Sequence, residues 1–285
     1  MNFENATKNI RKELKDYIIK HKLESLVIGV SGGIDSALVC ALAKPICEEL
    51  DIPLIGRSIP IISNKLDEMA RAQLVGESFC TLFDAKNLDK LFYETSFEIF
   101  NKDDIITRVI IKGETEKKIK IREGNIKARL RMIYLYDLAQ KYNGMVLGTD
   151  NYTEYLLGFF TLHGDHFDYG MIQYLWKTEV YEMSKWLIKN EPMSQRQIDA
   201  LELCIDAIPT DGLGVSNSDF DQLGAKDYNE VDLILAQYLD AKNRYEKGED
   251  VECPEINHSV IERHEKTHFK RNWPVNIPRD KIIDD

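Results

Sequence analysis

The stretch GVSGGIDS at residues 29–36 decides the fold, because it lies between a short apolar run and a segment with helical character. Residues 26–30 are typical of a buried parallel strand, and residues 35–49 are predicted to form a helix that Pro45 bends or ends. Adjacent glycines let the backbone wrap closely around a ligand, while serine hydroxyls and the free amides at a helix start bind phosphate oxygens. The loop therefore predicts a phosphate site, although it is neither GxxxxGKS/T nor GxGxxG. The residues that carry this prediction are Gly29, Ser31, Gly32, Gly33, Asp35 and Ser36.

The phosphate loop contains no lysine, so a metal ion or cations from elsewhere must neutralise a bound phosphate. Asp35 lies at the start of the helix, where its carboxylate is placed to hold Mg²⁺. The alternative is a Gly-Gly turn followed by an aspartate that caps the helix.

Strands and helices alternate along most of the chain. This pattern predicts an α/β fold with a doubly wound parallel sheet flanked by helices. Further helices are predicted over residues 5–21, over 124–142, and from the N-cap candidates Ser63 and Asn64 to about Cys80. Further strands are predicted over residues 51–55, 81–83 and 145–147.

Two stretches break this alternation. Residues 107–121 contain two half-apolar runs around Gly113, which indicate either a hairpin insertion or a solvated loop. Residues 206–228 carry four Gly and Pro residues and are predicted to form a mobile loop of the kind that covers an active site.

Composition narrows the class of protein. The 285 residues are 44% hydrophobic and 30% charged, and 37 basic against 48 acidic residues give a net charge of −11. So acidic a chain argues against nucleic-acid binding, which relies on basic patches. No apolar run approaches the roughly 20 residues of a membrane span, and the N-terminus has no apolar signal region. Five cysteines without a CxxC pair favour a reducing cytoplasm.

The phosphate loop resembles the pyrophosphate loop of the N-type ATP pyrophosphatases, which share an adenine nucleotide alpha-hydrolase-like fold and split ATP between its α and β phosphates. This class includes NAD synthetases, GMP synthetases, asparagine synthetases and several tRNA-modifying enzymes. Residues 124–132, GNIKARLRM, are similar to the GNIKARxRM segment of NAD synthetases, and this segment selects that family within the class.

Three later segments also resemble the NAD synthetase pattern. Residues 148–150 with Glu154 match GTDxxxE, which implies that Thr149 contacts ATP and that Glu154 joins Asp35 on Mg²⁺. Thr149 also falls at the carboxyl end of a predicted strand, where open α/β sheets bind ligands. The resemblance places Lys177 on the ATP phosphates, and the PTxxL tract places Thr210 on the triphosphate.

Other motif matches indicate the residues that bind the second substrate, the acid acceptor of the reaction. Asn125 and Arg129 lie one helical turn apart and can read a carboxylate and its ring, unless they form a solvated polar face. By resemblance Asp165 and Asp168 contact the ribose or pyridine end of the substrate. The terminal HFKR implies roles for His268 and Lys270.

The chain also departs from the family pattern. Leu162 stands where the bacterial family usually has a substrate-contacting lysine, Phe269 interrupts the terminal HKRxxP motif, and Arg57 matches a family arginine near adenine only weakly. On the helix over 124–142, the stripe of Ile126, Leu130, Ile133 and Tyr134 is predicted to be buried.

The resemblance implies that ATP, deamido-NAD and ammonia give NAD, AMP and pyrophosphate through an adenylated intermediate. Mg²⁺ would be the cofactor, ATP the co-substrate, and the protein a homodimer. The residues implied in catalysis are Asp35, Glu154, Lys177 and Asp165, the last as a proton acceptor from ammonium.

The nitrogen source is expected to be free ammonia, unless a separate amidase subunit supplies it. The first strand begins about 25 residues into the chain, so a single domain over residues 1–285 without a glutaminase domain is expected. Competing hypotheses are a tRNA-modifying pyrophosphatase, which would favour a basic face or a CxxC pair, and a non-catalytic nucleotide-binding protein. A zinc site at His163 and His166, or at His264 and His268, is a further alternative.

Overall fold

A parallel sheet forms the centre of the molecule. The computed structural model describes residues 1–62, 65–100, 116–208, 220, 223–250, 252, 255–272 and 274–278. Within these residues five strands pair in the order β3-β2-β1-β4-β5, and every pairing is parallel. The strands are β1 (Ser25–Gly29), β2 (Leu54–Ser58), β3 (Leu82–Ala85), β4 (Gly144–Gly148) and β5 (Tyr169–Gly170). The predicted doubly wound parallel sheet is confirmed.

Helices surround this sheet in chain order. They are α1 (Phe3–His21), α2 (Ile34–Leu50), α3 (Leu66–Phe79), α4 (Asp89–Phe100), α5 (Glu116–Lys141), α6 (Tyr152–Leu157), α7 (Lys177–Asn190), α8 (Gln195–Ile205), α9 (Tyr228–Glu246) and α10 (Ser259–Lys266), followed by a 3₁₀ turn (His268–Lys270).

Successive side chains of a strand point to opposite faces, and both faces of this sheet are covered. In β1, Leu26 and Ile28 join the core formed with α1, α2, α3, α7 and α8. Val27 points the other way, into a cluster with Leu138 and Ala139 of α5. Burial on both faces explains why the strands read as continuous apolar runs rather than as alternating patterns.

The helix after the phosphate loop is largely buried. Eleven of the seventeen residues of α2 are buried. Pro45 does not end this helix, which continues to Leu50. Gly33 is its N-cap and Asp35 lies in its first turn. The sequence therefore located this helix to within a residue at each end.

Three structural predictions need correction. Residues 116–121 begin helix α5 instead of a hairpin strand, because their lysine and glutamate residues favour a helix; residues 107–115 of the predicted insertion lie outside the described part of the chain. Strand β2 starts at Leu54 rather than 51, since Asp51 is a left-handed helix cap and Pro53 cannot donate to a sheet. Ile133 is 59% exposed, because α5 turns Leu138 and Ala139 toward the sheet instead.

Other boundaries differ by a few residues. The N-cap of α3 is Lys65, directly before the helix, whereas the predicted caps Ser63 and Asn64 lie outside the described residues. Most of the predicted loop over 206–228 also lies outside them. In the described ranges, every helix is too short or too polar to traverse a lipid bilayer.

Candidate active site

A cavity of about 710 Å³ opens at the carboxyl ends of β1, β2 and β4. The strand order reverses direction between β1 and β4, and open α/β sheets bind ligands at such a switch point. The volume falls within the range of small-molecule sites. Of the residues proposed from sequence, those that line it are Gly29, Ser31, Gly32, Gly33, Asp35, Asn125, Thr149, Glu154, Asp165, Lys177 and Lys270.

The phosphate loop is held by hydrogen bonds of its own. The hydroxyls of Ser31 and Ser36 lie 3.1 Å apart, and the amide of Gly33 donates to Ser31 Oγ at 3.2 Å. Ser36 is buried and donates to the carbonyl of Gly33 at 3.1 Å, whereas Ser31 is exposed toward the cavity. Ser36 therefore shapes the loop from within, and Ser31 is open to a ligand.

Gly32 can be no other residue without strain. Its φ of +83° lies in the left-handed region, and a Cβ there would come 2.3 Å from the carbonyl oxygen of Glu68 on α3. The carbonyl of Gly32 accepts a hydrogen bond from Arg71 Nε at 3.0 Å. The loop is thus pressed against α3, which fixes where its amides point.

Asp35, Glu154 and Lys177 form a charge cluster at the end of the loop. Lys177 Nζ donates to Asp35 Oδ2 at 2.5 Å and to Glu154 Oε1 at 2.9 Å. The lysine side chain is only 5% exposed, and those of Asp35 and Glu154 are 16% and 19% exposed. The pKa of Lys177 lies well above its usual value: burial alone would lower it, but the two carboxylates more than compensate. Three residues from distant parts of the sequence therefore meet at one point.

Asn151 joins two members of this charge cluster. It is the N-cap of α6, where its Oδ1 accepts from the amide of Glu154 at 3.0 Å. Its Nδ2 donates to Asp35 Oδ1 at 2.8 Å, and the side chain is fully buried. The sequence analysis missed Asn151, since an asparagine before a helix reads only as a cap.

The carboxylates of the charge cluster suit a hard cation. Asp35 and Glu154 already converge on one positive charge, and Mg²⁺ prefers carboxylate and phosphate oxygens. The described residues contain no group of three or more His, Cys, Asp or Glu arranged for a metal, so phosphate oxygens and water would complete such a site. The rings of His163 and His166 lie 5.7 Å apart without a third such ligand in the described ranges.

Two further carboxyl groups face the cavity. Burial raises the pKa of Asp150 well above its usual value, and Asp165, Glu154 and Asp35 nearby raise it further. Asp165 accepts a hydrogen bond from the amide of Thr161 at 2.6 Å. Burial raises the pKa of Asp165 as well, although the hydrogen bond from Thr161 and the charge of Arg131 oppose the shift. Asp150 was not singled out from sequence, because its motif marked Thr149 and Glu154 instead.

Two of the residues predicted to bind the acid acceptor, Asn125 and Lys270, lie at the cavity and have hydrogen bonds within the protein. Asn125 Oδ1 accepts from the hydroxyl of Thr161 at 2.9 Å. Lys270 Nζ donates to the carbonyls of Gly158, at 2.7 Å, and Phe160. Both side chains also line the cavity.

The other acceptor residues lie away from the cavity wall. Arg129 donates to the carbonyl of Leu162 at 3.2 Å, and Asp168 Oδ2 accepts from the amide of Val146 at 2.8 Å. His268 is exposed and contacts the side chain of Asn272. Thr210 lies outside the described residues.

Arg131 reaches the cavity from the same helix as Arg129. Its Nε donates to the carbonyl of Ile59 at 3.0 Å, and burial lowers the pKa of its guanidinium. Both arginines belong to the GNIKARLRM segment, and helical periodicity pointed to Arg129. Because an arginine side chain spans several ångströms, periodicity alone does not locate its guanidinium.

The fold and the site define an α/β protein whose cavity combines a glycine-rich loop with a lysine that bridges two carboxylates. A family model described as NAD synthase matches residues 6–274, and the chain belongs to this family. The predicted resemblance is thereby confirmed.

Curated relatives carry one shared name. The NH(3)-dependent NAD(+) synthetase of Mycoplasma genitalium is 35% identical over 272 residues, covering 95% of this chain and 94% of that protein. The NH(3)-dependent NAD(+) synthetase of Pyrococcus horikoshii is 32% identical over 279 residues, covering 95% of each. Relatives with this name are carbon–nitrogen ligases.

Solved structures share the fold. An NMN synthetase from Francisella tularensis superposes with a TM-score of 0.71 at 25% identity, covering 98% of this chain and 99% of that one. An NH3-dependent NAD synthetase from Campylobacter jejuni has a TM-score of 0.66 at 20% identity, covering 98% and 100%. The predicted fold class is confirmed by this likeness and by the strand order.

Proposed function

We propose that this chain amidates deamido-NAD to NAD with ammonia and ATP, releasing AMP and pyrophosphate. The observation that carries the proposal is the charge cluster of Asp35, Glu154 and Lys177 beside a phosphate loop, in a chain whose relatives are NH(3)-dependent NAD(+) synthetases. A non-catalytic nucleotide-binding protein would have no need of these carboxylates.

The phosphate loop is the proposed triphosphate site. Gly29, Gly32 and Gly33 allow close approach, Ser31 and the amides at the start of α2 donate to phosphate oxygens, and Ser36 maintains the loop. Thr149 at the end of β4 and Thr210 complete the proposed ATP contacts.

Mg²⁺ is the proposed cofactor, with Asp35 and Glu154 as its protein ligands. When bound, it supplies positive charge to the phosphates of ATP. Lys177 lies between the same two carboxylates, and its ammonium is the proposed contact of the departing pyrophosphate.

The reaction requires two bond exchanges. A carboxylate oxygen of the acceptor attacks the α-phosphorus of ATP, and the bond to the β-phosphate oxygen breaks. Ammonia then attacks the carbonyl carbon of the adenylate, and AMP leaves with the electron pair of the C–O bond. The protein contributes mainly positioning and charge neutralisation.

Ammonium must lose a proton before it can attack. Asp165 is the proposed acceptor, because it faces the cavity and its pKa is raised, which increases its affinity for a proton. Asn125 and Lys270 are the proposed acceptor-binding residues that already line the cavity. The remaining members of that proposal are Arg129, Asp168 and His268.

Parallel assays with ammonium and with glutamine test the proposal. NAD formation from deamido-NAD, ATP and Mg²⁺ is expected with ammonium alone. Activity with glutamine, in enzyme free of contaminating amidase and ammonia, would contradict the proposed nitrogen source. No product from either, where a known synthetase works, would contradict the function.

A second acceptor is nicotinate mononucleotide, the acid that corresponds to NMN. The likeness to an NMN synthetase over almost the whole chain favours including it, as does Leu162 at a position where the family usually has a substrate-contacting lysine. Comparing kcat/KM for the two acids in the ammonium assay separates the two candidates.

Assembly and location complete the proposal. A homodimer is supported by the exposed apolar side chains of α4, namely Leu91, Tyr93, Phe97 and Ile99. Light scattering of the purified chain measures the oligomeric state. We place the protein in the cytoplasm as a single domain, and its four described cysteines, which are free thiols, support a reducing compartment. We propose that it binds small molecules and no nucleic acid, which its net charge of −11 supports.

A further inference from the structure

A buried carboxylate lies behind the charge cluster, on helix α9. Asp232 is 7% exposed and does not line the cavity. Its Oδ1 accepts from Thr153 Oγ1 at 2.5 Å. Its Oδ2 accepts from both the amide and the hydroxyl of Thr178, at 2.9 and 2.8 Å. One carboxylate thus receives three hydrogen bonds from two different helices.

These hydrogen bonds fix the N-terminus of α7. The first amides of a helix have no partner within the helix and need acceptors from elsewhere. The amide of Lys177 donates to Thr153 Oγ1 at 2.9 Å, and the amide of Thr178 donates to Asp232. A carboxylate at this end also interacts favourably with the helix dipole. Asp232 therefore holds the backbone of Lys177 through Thr153, and it holds the neighbouring residue Thr178 directly.

The same carboxylate also anchors the helix that carries Glu154. Thr153 is the residue before Glu154 in α6 and is fully buried. Asp232 thus joins α6 to α7 through Thr153 and Thr178. The relative position of Glu154 and Lys177 follows from this junction, because each lies next to one of the bonded threonines.

Helix α9 also contacts the side chain of Lys177. Tyr228 begins α9 one turn before Asp232, and its ring centroid lies 5.3 Å from Lys177 Nζ. The first two turns of α9 therefore contact the ammonium of Lys177 through Tyr228 and hold the first turn of α7 through Asp232.

We propose that Asp232 is a positioning residue, whose hydrogen bonds to Thr153 and Thr178 hold Lys177 and Glu154 in register for the ATP-dependent step. The inference rests on the proposed function, in which Lys177 contacts the phosphates of ATP. Asp232 itself touches no substrate.

The substitution Asp232→Asn tests this role. The amide N–H of Thr178 can only donate, so the asparagine oxygen must face Thr178 and its NH₂ group must face Thr153 Oγ1. The Thr153 hydroxyl then has to give up its donation to residue 232 and accept a second hydrogen bond beside that from the amide of Lys177. We expect the KM for ATP to rise about tenfold and the KM for the acid acceptor to stay within twofold, since loss of a hydrogen bond to a charged phosphate weakens binding by about that factor. A merely structural role would lower the fraction of active enzyme and leave both KM values unchanged.

A second readout requires no synthetase activity. Acetylation of lysines by acetic anhydride, quantified by peptide mass spectrometry, reports how well each ammonium is held. Lys177 is buried and doubly ion-paired, so its acetylation in the wild-type protein is slow. We expect Asp232→Asn to raise the rate at Lys177 at least fivefold and to leave the exposed Lys185 unchanged.

Substitutions of Thr153 repeat the test without altering a charge. Thr153→Val keeps the side-chain shape and removes the hydroxyl, so it should reproduce both effects of Asp232→Asn. Thr153→Ser keeps the hydroxyl and should restore wild-type values. These variants also keep the proposal testable when Asp232→Asn does not fold.

Glu265→Gln is the matched control. Glu265 on α10 accepts hydrogen bonds from Tyr238 and Lys242 of α9, at 3.0 and 2.8 Å, but has no bond to α7. Its substitution should leave Lys177 acetylation and both KM values within twofold of wild type.

Unchanged acetylation of Lys177 and an unchanged KM for ATP in both Asp232→Asn and Thr153→Val would overturn the positioning role. An inactive wild-type protein would instead contradict the proposed function. In that case Lys177 acetylation and the ATP affinity measured by calorimetry still decide the role of Asp232.

Discussion

Replacing Lys177 by methionine removes one charge from the charge cluster and keeps much of the side-chain volume. Two carboxylates, 16% and 19% exposed, then lose an ammonium that lies 2.5 and 2.9 Å from them. Removing one partner of a fully buried ion pair costs about 3–5 kcal/mol, whereas exposed pairs contribute about 0–1 kcal/mol. Because the lysine is buried and the carboxylates are partly hydrated, we expect the free energy of unfolding to fall by about 3 kcal/mol.

Thermal unfolding followed by circular dichroism, without nucleotide or metal, measures this loss. A change of about 3 kcal/mol lowers the Tm by roughly 6 °C in a protein of this size. Loss of one charge-stabilising donor also lowers kcat by about 100-fold or more. Lys185→Met is the matched control on the same helix, since Lys185 is 53% exposed and pairs with Glu182 at the surface. A Lys177→Met protein with wild-type Tm and kcat would refute the reasoning.

Three further outcomes are expected. Gly32→Ala should lower the free energy of unfolding by more than about 2 kcal/mol and weaken ATP binding, because the added Cβ would lie 2.3 Å from a backbone oxygen. Gly248→Ala is the control: its φ is +75° but the space around it is open, so it measures only the cost of about 1 kcal/mol for alanine in the left-handed conformation. Equal urea midpoints for the two variants would contradict the predicted effect of the backbone clash. Burial lowers the pKa of His264 below 6.5, so the unfolded chain takes up the proton first and stability falls as the pH drops below about 6.5. His264→Asn should flatten that loss in urea titrations from pH 7 to 5, whereas His268→Asn, at an exposed position, should not. Lys270→Met should raise the KM for the acid acceptor about tenfold without changing that for ATP, since hydrogen bonds to a charged group contribute about 1.5–3 kcal/mol; unchanged acceptor KM would exclude its proposed role.

Much of the fold follows from local sequence signals. Apolar runs such as 26–30 and 145–147 form strands, because a parallel sheet with helices on both faces buries every side chain of such a run. Boundaries were less certain where local signals conflict. Residues 116–121 alternate like a strand but consist of strong helix formers, and they extend α5. The burial of Ile133 was predicted wrongly, because the face that α5 turns to the sheet depends on packing, not on periodicity alone.

The site shows the same division. Asp35, Glu154 and Lys177 were each singled out from motifs, and the structure brings them within hydrogen-bonding distance. Asn151 and Asp232 carried no such signal: one reads as an ordinary cap and the other as a polar residue on a helix. Their chemistry arises from partners more than fifty residues away.

The sequence by itself determined the phosphate loop, the α/β architecture and the family, because glycine conformation, helix starts and apolar runs are properties of neighbouring residues. Only the tertiary structure decided that a lysine bridges two carboxylates, that Arg131 rather than Arg129 faces the cavity, and that Asp232 secures the lysine from behind. Hydrogen bonds and ion pairs depend on ångström-scale distances between side chains from separate elements, and those distances are set by how the helices pack on the sheet.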